Sequence, residues 1–142
     1  MYFWLSLLGT MMIDCLIIGD SIAVGTHQFK SECRAVARGG INSWQFNKTY
    51  PGQFVSNTVV ISLGSNDHPG VRTRHELEDL RKRISGSSKV YWILPAIKPD
   101  IQDIVLDIAE QYGDTVLPIT RLQRDGVHPS WAGYKQLSDN IK

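Results

Sequence analysis

Two short stretches of the sequence contain the residue types that hydrolytic chemistry requires. In the first, CLIIGDSIAVG (15–25), an apolar run ends in Gly19, Asp20 and Ser21. In the second, RDGVHPSWAGYKQL (124–137), Asp125 stands three residues before His128. A serine hydroxyl becomes a nucleophile when a histidine takes its proton and a carboxylate orients that histidine. The three side chains therefore form a candidate Ser-His-Asp triad, although Ser21 also fits the cap of a following helix.

An acyl-transfer reaction also needs preorganised donors for a developing oxyanion. Three candidates each follow an apolar run: the backbone N–H of Ser21, the N–H of Gly40 and the side-chain amide of Asn66. Each has a simpler structural interpretation, because Gly39 and Gly40 can just form a turn and Asn66 with Asp67 can bond local backbone. Ligands of open α/β sheets bind beyond the carboxyl ends of the strands. We therefore expect the three turns to meet on one rim.

The elements that must position these residues are strands alternating with helices, a pattern that predicts a parallel sheet covered by helices. The predicted strands are DCLIIG, CRAVAR, NTVVISLG, SKVYWILP and DTVLPI. Helical spacing is found in RHELEDLRKRI, in DIQDIVLDIAEQYG, with Gly113 as its stop, and in WAGYKQLSDNI. In the last helix we expect Ser130 to be the cap and Trp131, Tyr134 and Leu137 to face inward.

Composition limits the function classes. A chain of 142 residues predicts a single domain over residues 1–142. The net charge of +1 argues against a nucleic-acid partner, and the mixed charges of RTRHELEDLRKR are typical of a solvated helix face. Cys15 and Cys33 match no metal-site spacing and no disulfide framework, so we expect reduced, partly buried thiols and no metal.

The first thirteen residues form an apolar N-terminal extension, MYFWLSLLGTMMI. It falls short of the roughly 20 residues that span a bilayer, and it lacks the basic region of a secretory signal. It is a packed segment, a degenerate signal, or an extension upstream of an ancestral start at Met11 or Met12. We favour the first or third interpretation, and expect a soluble protein with a cytoplasmic location favoured and no stable membrane span.

Four separated blocks of the sequence resemble those of the SGNH or GDSL hydrolases. The blocks are GDS (19–21), ARGGINS (37–43), GSND (64–67) and DGVHP (125–129). The resemblance implies a three-layer α/β/α sandwich around a central, mainly parallel five-stranded sheet in flavodoxin-like order. It implies Ser21 as nucleophile, Asp125 and His128 as its partners, and Asn66 with Gly40, or alternatively Gly39, as oxyanion donors. The G-x-S-x-G pattern of α/β-hydrolases is not met, because Ala23 replaces its last glycine.

The function expected from this resemblance is a serine esterase that removes a small acyl group, such as acetyl, from a carbohydrate without a cofactor. The alternatives are a lysophospholipase or thioesterase of the same fold, or a carbohydrate-binding module without catalysis. Trp44, His68 and the loop PAIKPD (95–100) are candidates for lining the substrate cleft, with plain helix packing as the other interpretation of Trp44. Asp20 is expected only to form the turn before the helix. The oligomeric state is left open.

Overall fold

The computed structural model describes residues 14–86 and 88–142. Within them, five strands form one parallel sheet in the order β2-β1-β3-β4-β5, which is the predicted flavodoxin-like order. The strands are β1 (Cys15–Gly19), β2 (Arg34–Ala37), β3 (Thr58–Ser62), β4 (Lys89–Ile93) and β5 (Thr115–Leu117). The helices are α1 (Ser21–Gln28), α2 (Ser43–Thr49), α3 (Thr73–Lys82), α4 (Pro99–Tyr112) and α5 (Trp131–Asn140). The predicted N-terminal extension, residues 1–13, lies outside the described residues.

Helices cover both faces of the sheet and bury two separate apolar clusters. In β1, Leu16 and Ile18 join the cluster under α2, α3 and α4, whereas Ile17 joins the cluster under α1 and α5. A strand buried on both faces has no polar side to display, and this explains the unbroken apolar runs in the sequence. The three-layer α/β/α arrangement is thus confirmed. No helix in the described part of the chain has both the length and the apolar character needed to cross a bilayer.

Helix α5 departs from its predicted packing at one residue. Ser130 caps the helix as predicted, because its Oγ accepts a hydrogen bond from the N–H of Gly133 at 3.2 Å. Leu137 is buried and Tyr134 packs on the same cluster, but Trp131 is 69% exposed, so its predicted inward orientation is wrong. Trp131 is the first residue of the helix and packs edge-on against Phe29, with ring centroids 5.4 Å apart. The sheet face is already covered by the residues farther along the helix.

Cys15 and Cys33 form a disulfide, contrary to the expectation of reduced thiols. Strands β1 and β2 pair in parallel with Leu16 opposite Arg34, and the residue before each of these two is a cysteine. Their Cα atoms are 4.8 Å apart, within the range that a disulfide spans. The bond therefore links the first residue of β1 covalently to the residue that precedes β2.

Reduction of this disulfide should destabilise the fold. The bond closes a loop with a sequence separation of 18 residues, and loops of about this length correspond to roughly 3 kcal/mol of unfolding free energy. We expect urea unfolding to shift to lower denaturant when a reductant is added, by an amount equal to about 3 kcal/mol. The double variant Cys15→Ser/Cys33→Ser is the control, since its urea midpoint should be the same with and without reductant. Identical transitions for the parent protein with and without reductant would contradict the pairing.

Candidate active site

Ser21 lies at the carboxyl edge of the sheet, where β1 turns sharply into α1. Gly19 has φ +136°, and a Cβ added there would overlap the carbonyl of Ser62 at the end of β3. The N–H of Asp20 donates to that carbonyl at 2.9 Å. The helix cap is Asp20, whose Oδ1 accepts from the N–H of Ile22 at 3.0 Å. Ser21 is therefore the first helical residue and not the cap, which leaves its hydroxyl available for another partner.

The structure brings the three predicted triad side chains into one line. Ser21 Oγ is 2.7 Å from His128 Nε2, across a sequence separation of 107 residues. His128 Nδ1 is 2.7 Å from Asp125 Oδ2. With the ring proton on Nδ1, the imidazole donates to the carboxylate and Nε2 accepts the serine proton. The His128 and Asp125 side chains are 35% and 45% exposed, so both are accessible to solvent.

The Asp125 carboxylate is held in its ionised form by the loop that carries it. Its Oδ1 accepts from the N–H of Val127 at 2.9 Å and from the N–H of His128 at 3.0 Å. These backbone donors, together with the imidazole on Oδ2, lower the pKa of Asp125 to about 2. A fixed negative charge thus faces Nδ1 at neutral pH, and it would favour the imidazolium that forms when His128 takes a proton.

The loop over residues 121–130 is closed by its own hydrogen bonds. Leu122 and Pro129 form an isolated antiparallel bridge. The N–H of Gln123 donates to the carbonyl of His128 at 2.8 Å, and the Gln123 side-chain amide donates to the carbonyl of Pro129 at 3.0 Å. The spacing between Asp125 and His128 is consequently set within the loop.

Two of the predicted oxyanion donors lie on the turns that follow β2 and β3. A Cβ added to Gly39 would lie 3.8 Å from Ser21 Cβ, and Gly40 has φ +78°. Asn66 Nδ2 donates to the carbonyl of Ile41 at 3.0 Å, which leaves its second amide hydrogen available. Within the described ranges, the N–H groups of Ser21, Gly39 and Gly40 donate to no protein acceptor. Gly39 and Gly40 both remain candidates for the glycine donor.

Asp67, for which the sequence suggested bonds to local backbone, instead joins separate elements. The side chain is buried. Its Oδ1 accepts from the N–H of Ser43 at 2.9 Å, and its Oδ2 accepts from Ser43 Oγ at 2.6 Å and Thr73 Oγ1 at 2.8 Å. The loop that carries Asn66 is thereby tied to the first residues of α2 and α3. The sequence gives no sign of these partners, because they lie 24 and 6 residues away.

Trp44 and His68 line one groove between α2 and α3, with a volume of about 530 Å³. Trp44 is 50% exposed, so helix packing alone does not account for it. The groove adjoins the candidate oxyanion segments, since Asn42 and His68 stand two residues after Gly40 and Asn66 in the chain. Its remaining lining residues are Gln45, Gly70, Val71, Arg72, His75 and Glu76.

From the predicted loop 95–100, Lys98 and Asp100 line a second groove. This groove shares His68 and Val71 with the first groove and also includes Ile101 and Ile104. In the part of the chain that the structure describes, no group of three or more His, Cys, Asp or Glu side chains has an arrangement that could hold a metal ion.

Asp20 is more than a turn former, because its carboxyl is buried directly beside Ser21. The residue has 0% exposure. Oδ1 accepts from Ser62 Oγ at 3.0 Å as well as from the helix N–H, whereas Oδ2 has no hydrogen-bond partner among the described residues. Burial disfavours the charged form and raises the pKa of Asp20 to about 6, despite the hydrogen bonds that act in the opposite direction. An Asp before a helix signals a cap, but its burial is a tertiary property.

Two solved structures resemble this chain over most of their length. A member of the lipolytic protein G-D-S-L family from Veillonella parvula DSM 2008 superposes with a TM-score of 0.65 and 12% sequence identity, over 88% of this chain and 93% of its own. A GDSL-like lipase from Bacteroides uniformis ATCC 8492 gives a TM-score of 0.63 and 12% identity, over 89% and 92%. No family model and no curated protein matches the sequence. The likeness is one of fold, and the predicted SGNH/GDSL hydrolase fold is confirmed.

The buried Asp20 should give the protein a distinctive dependence of stability on pH. The unfolded chain loses this proton near pH 3.8 and the native state near pH 6. Between these values the native state binds more protons, so the unfolding free energy contributed by Asp20 falls as the pH rises. A rise of this size corresponds to about 3 kcal/mol.

Asp20→Asn keeps a capping side chain and removes the charge. We expect the wild type to lose about 2.5 kcal/mol relative to this variant between pH 4 and pH 7 in urea unfolding, since a small part of the effect lies below pH 4. Asp125 does not contribute in this window, because its pKa is lowered and its effect falls below pH 4. The exposed residue Asp103 supplies the control variant Asp103→Asn, whose curve should run parallel to the wild type. A parallel curve for Asp20→Asn as well would show that the carboxyl is not buried as described.

Proposed function

We propose that this chain, which has the fold of the GDSL-type hydrolases, is a serine esterase with Ser21 as its nucleophile. The observation that carries the proposal is the pair of 2.7 Å contacts that link Ser21 Oγ through His128 to Asp125. The sharp turn at Gly19 and the closed loop that holds His128 support the same assignment, since each fixes one end of this line. A helix cap alone would not require a histidine at the serine hydroxyl.

The reaction follows from the positions of these groups. His128 Nε2 takes the proton of Ser21 Oγ as the oxygen attacks the ester carbonyl, and Asp125 stabilises the imidazolium. The oxyanion accepts hydrogen bonds from the N–H of Ser21, the N–H of Gly40 and the free amide hydrogen of Asn66. His128 then gives its proton to the departing alcohol. A water molecule, deprotonated by the same imidazole, attacks the acyl-enzyme, and His128 returns this proton to Ser21 Oγ as the acid is released.

We further propose a small acyl group, such as acetyl, on a carbohydrate as the substrate. The groove with Trp44 and His68 supports this choice, because Asn42 and His68 in its lining closely follow Gly40 and Asn66 in the chain. The groove also combines an aromatic ring with polar side chains. An exposed aromatic ring offers a flat apolar surface, and polar side chains give a hydroxylated ligand its orientation. The partly exposed triad would leave room for a large alcohol part.

A longer acyl chain, as in a lysophospholipid or thioester, is the second candidate. It is favoured by two exposed apolar side chains that flank the triad in sequence. Val24 stands three residues after Ser21 and is 37% exposed, and Trp131 stands three residues after His128. A hydrolase that binds a lipid would use such a surface.

Ser21→Ala should abolish hydrolysis of a short-chain aryl ester, a loss on the order of 10⁴-fold or more in kcat. A fluorophosphonate probe should label the wild type and not the variant, because only an activated hydroxyl reacts efficiently. The matched control is Ser31→Ala, at an exposed serine after α1, which should keep both properties. Unchanged turnover in Ser21→Ala would refute the assignment. A wild type that neither turns over esters nor takes the probe would instead support the non-catalytic binding module.

Two exposed tryptophans separate the substrate candidates. On a sugar acetate, Trp44→Ala should raise KM about tenfold with kcat unchanged, since a stacking surface is lost. The same variant should hydrolyse a small aryl acetate normally, and Trp131→Ala should leave both acetyl substrates unaffected. The lipid proposal would replace the carbohydrate one under two conditions. The wild type would have to prefer esters of long acyl chains, and Trp131→Ala would have to impair their hydrolysis.

A further inference from the structure

Lys98 occupies a backbone conformation that its side chain disfavours. It has φ +66°, and within the described ranges it is the one residue other than glycine with positive φ. It precedes Pro99 at the start of α4, yet its side chain makes no capping hydrogen bond to that helix. Strain of this kind persists where the surroundings hold the residue in place, and it concentrates at functional sites.

The Lys98 side chain reaches instead to the loop that carries Asn66. Its Nζ donates to the carbonyl of Ser65 at 2.8 Å and to the carbonyl of Asp67 at 2.6 Å. These two residues are the chain neighbours of Asn66 on either side. Hydrogen bonds from an ammonium are stronger than those between neutral groups. A single cation thus fixes the peptide groups on both sides of the candidate oxyanion donor.

The side chains of this loop contact elements other than α4. Asn66 Nδ2 donates to the carbonyl of Ile41, and the Asp67 carboxylate accepts from Ser43 in α2 and from Thr73 in α3. The hydroxyl of Ser65 is buried and has no hydrogen-bond partner among the described residues. Without the ammonium, the carbonyls of Ser65 and Asp67 would lose the donor from α4. The loop would then be free to shift on that side.

We propose that Lys98 is a positioning residue for the oxyanion site, which it serves by fixing the peptide groups that flank Asn66. This inference rests on the proposed esterase function. Lys98 acts through Asn66 and contacts no reacting atom. The strained backbone follows from the same requirement, because the turn before α4 must direct the side chain back across the rim. Since the amide must meet the oxyanion in the transition state, the effect falls on kcat more than on KM.

The test is Lys98→Met in the full chain, with kcat and KM measured on a short-chain aryl ester. We expect kcat to fall at least tenfold and KM to stay within about twofold, since substrate binding does not need the aligned amide. Lys82→Met, at an exposed lysine that ends α3, is the matched control and should equal the wild type.

A double variant distinguishes positioning from general weakening of the fold. In an Asn66→Ala background, which should itself cost on the order of 10²-fold in kcat, Lys98→Met should have no further effect, because the group that it positions is gone. The inference would be overturned if Lys98→Met lowered kcat by the same factor in the Asn66→Ala background as in the wild type. It would also be overturned if Lys98→Met alone kept the kcat of the wild type.

Lys98→Asn keeps the test decisive if the methionine variant fails to fold. Asparagine tolerates positive φ and lacks the ammonium, so we expect a folded protein with the same loss of kcat. Full activity in this folded variant would contradict the role of the cation. If the Lys98 variants keep full activity while the wild type hydrolyses esters through Ser21, only the role of Lys98 is refuted and the esterase proposal stands. A wild type without esterase activity overturns both proposals.

Discussion

The buried carboxylate of Asp67 ties together the parts of the rim that the rest of the site depends on. A charge removed from water is costly unless donors surround it, and here Ser43 supplies two donors and Thr73 a third. Ser43 begins α2 immediately after the glycine turn, and Thr73 begins α3 on the far side of the groove. The glycine turn, Asn66 and the groove walls are therefore linked through one side chain, and displacement of any of them would leave the charge unsatisfied.

The parallel sheet supplies the second constraint by ending its central strands at a common edge. The close approach of Gly19 to Ser62 joins the ends of β1 and β3, so Ser21 and the Asn66 loop leave the sheet side by side. The turn after β2 is bound to the same edge by the N–H of Arg38, which donates to the carbonyl of Gly19 at 3.0 Å. Residues separated by dozens of positions along the chain meet because three strands end together.

The strands could be predicted because apolar runs are local features of the sequence. Their order and the approach of Ser21 to His128 were implied by the resemblance of four separated motifs to those of a known family. Contacts that depend on register or burial could not be predicted. The Cys15–Cys33 disulfide requires the pairing of β1 with β2, the exposure of Trp131 depends on what covers the sheet before it, and the burial of Asp20 depends on Ser62 and α1. The backbone of Lys98 gave no signal at all, since a lysine before a proline is ordinary in sequence.

The closed loop over residues 121–130 holds together His128 and Asp125, the two side chains proposed to activate Ser21. Its carboxylate and imidazole are aligned by bonds within the loop, and a single 2.7 Å contact joins them to the serine. The position of the loop against α1 depends on α5, which follows the loop directly. Near the end of α5, Ser138 Oγ donates to the carbonyl of Phe29, just after α1, at 2.8 Å. In the proposed esterase, sequence changes along the seam between α1 and α5 would therefore alter reactivity by changing the distance between Ser21 and His128, without replacing either side chain.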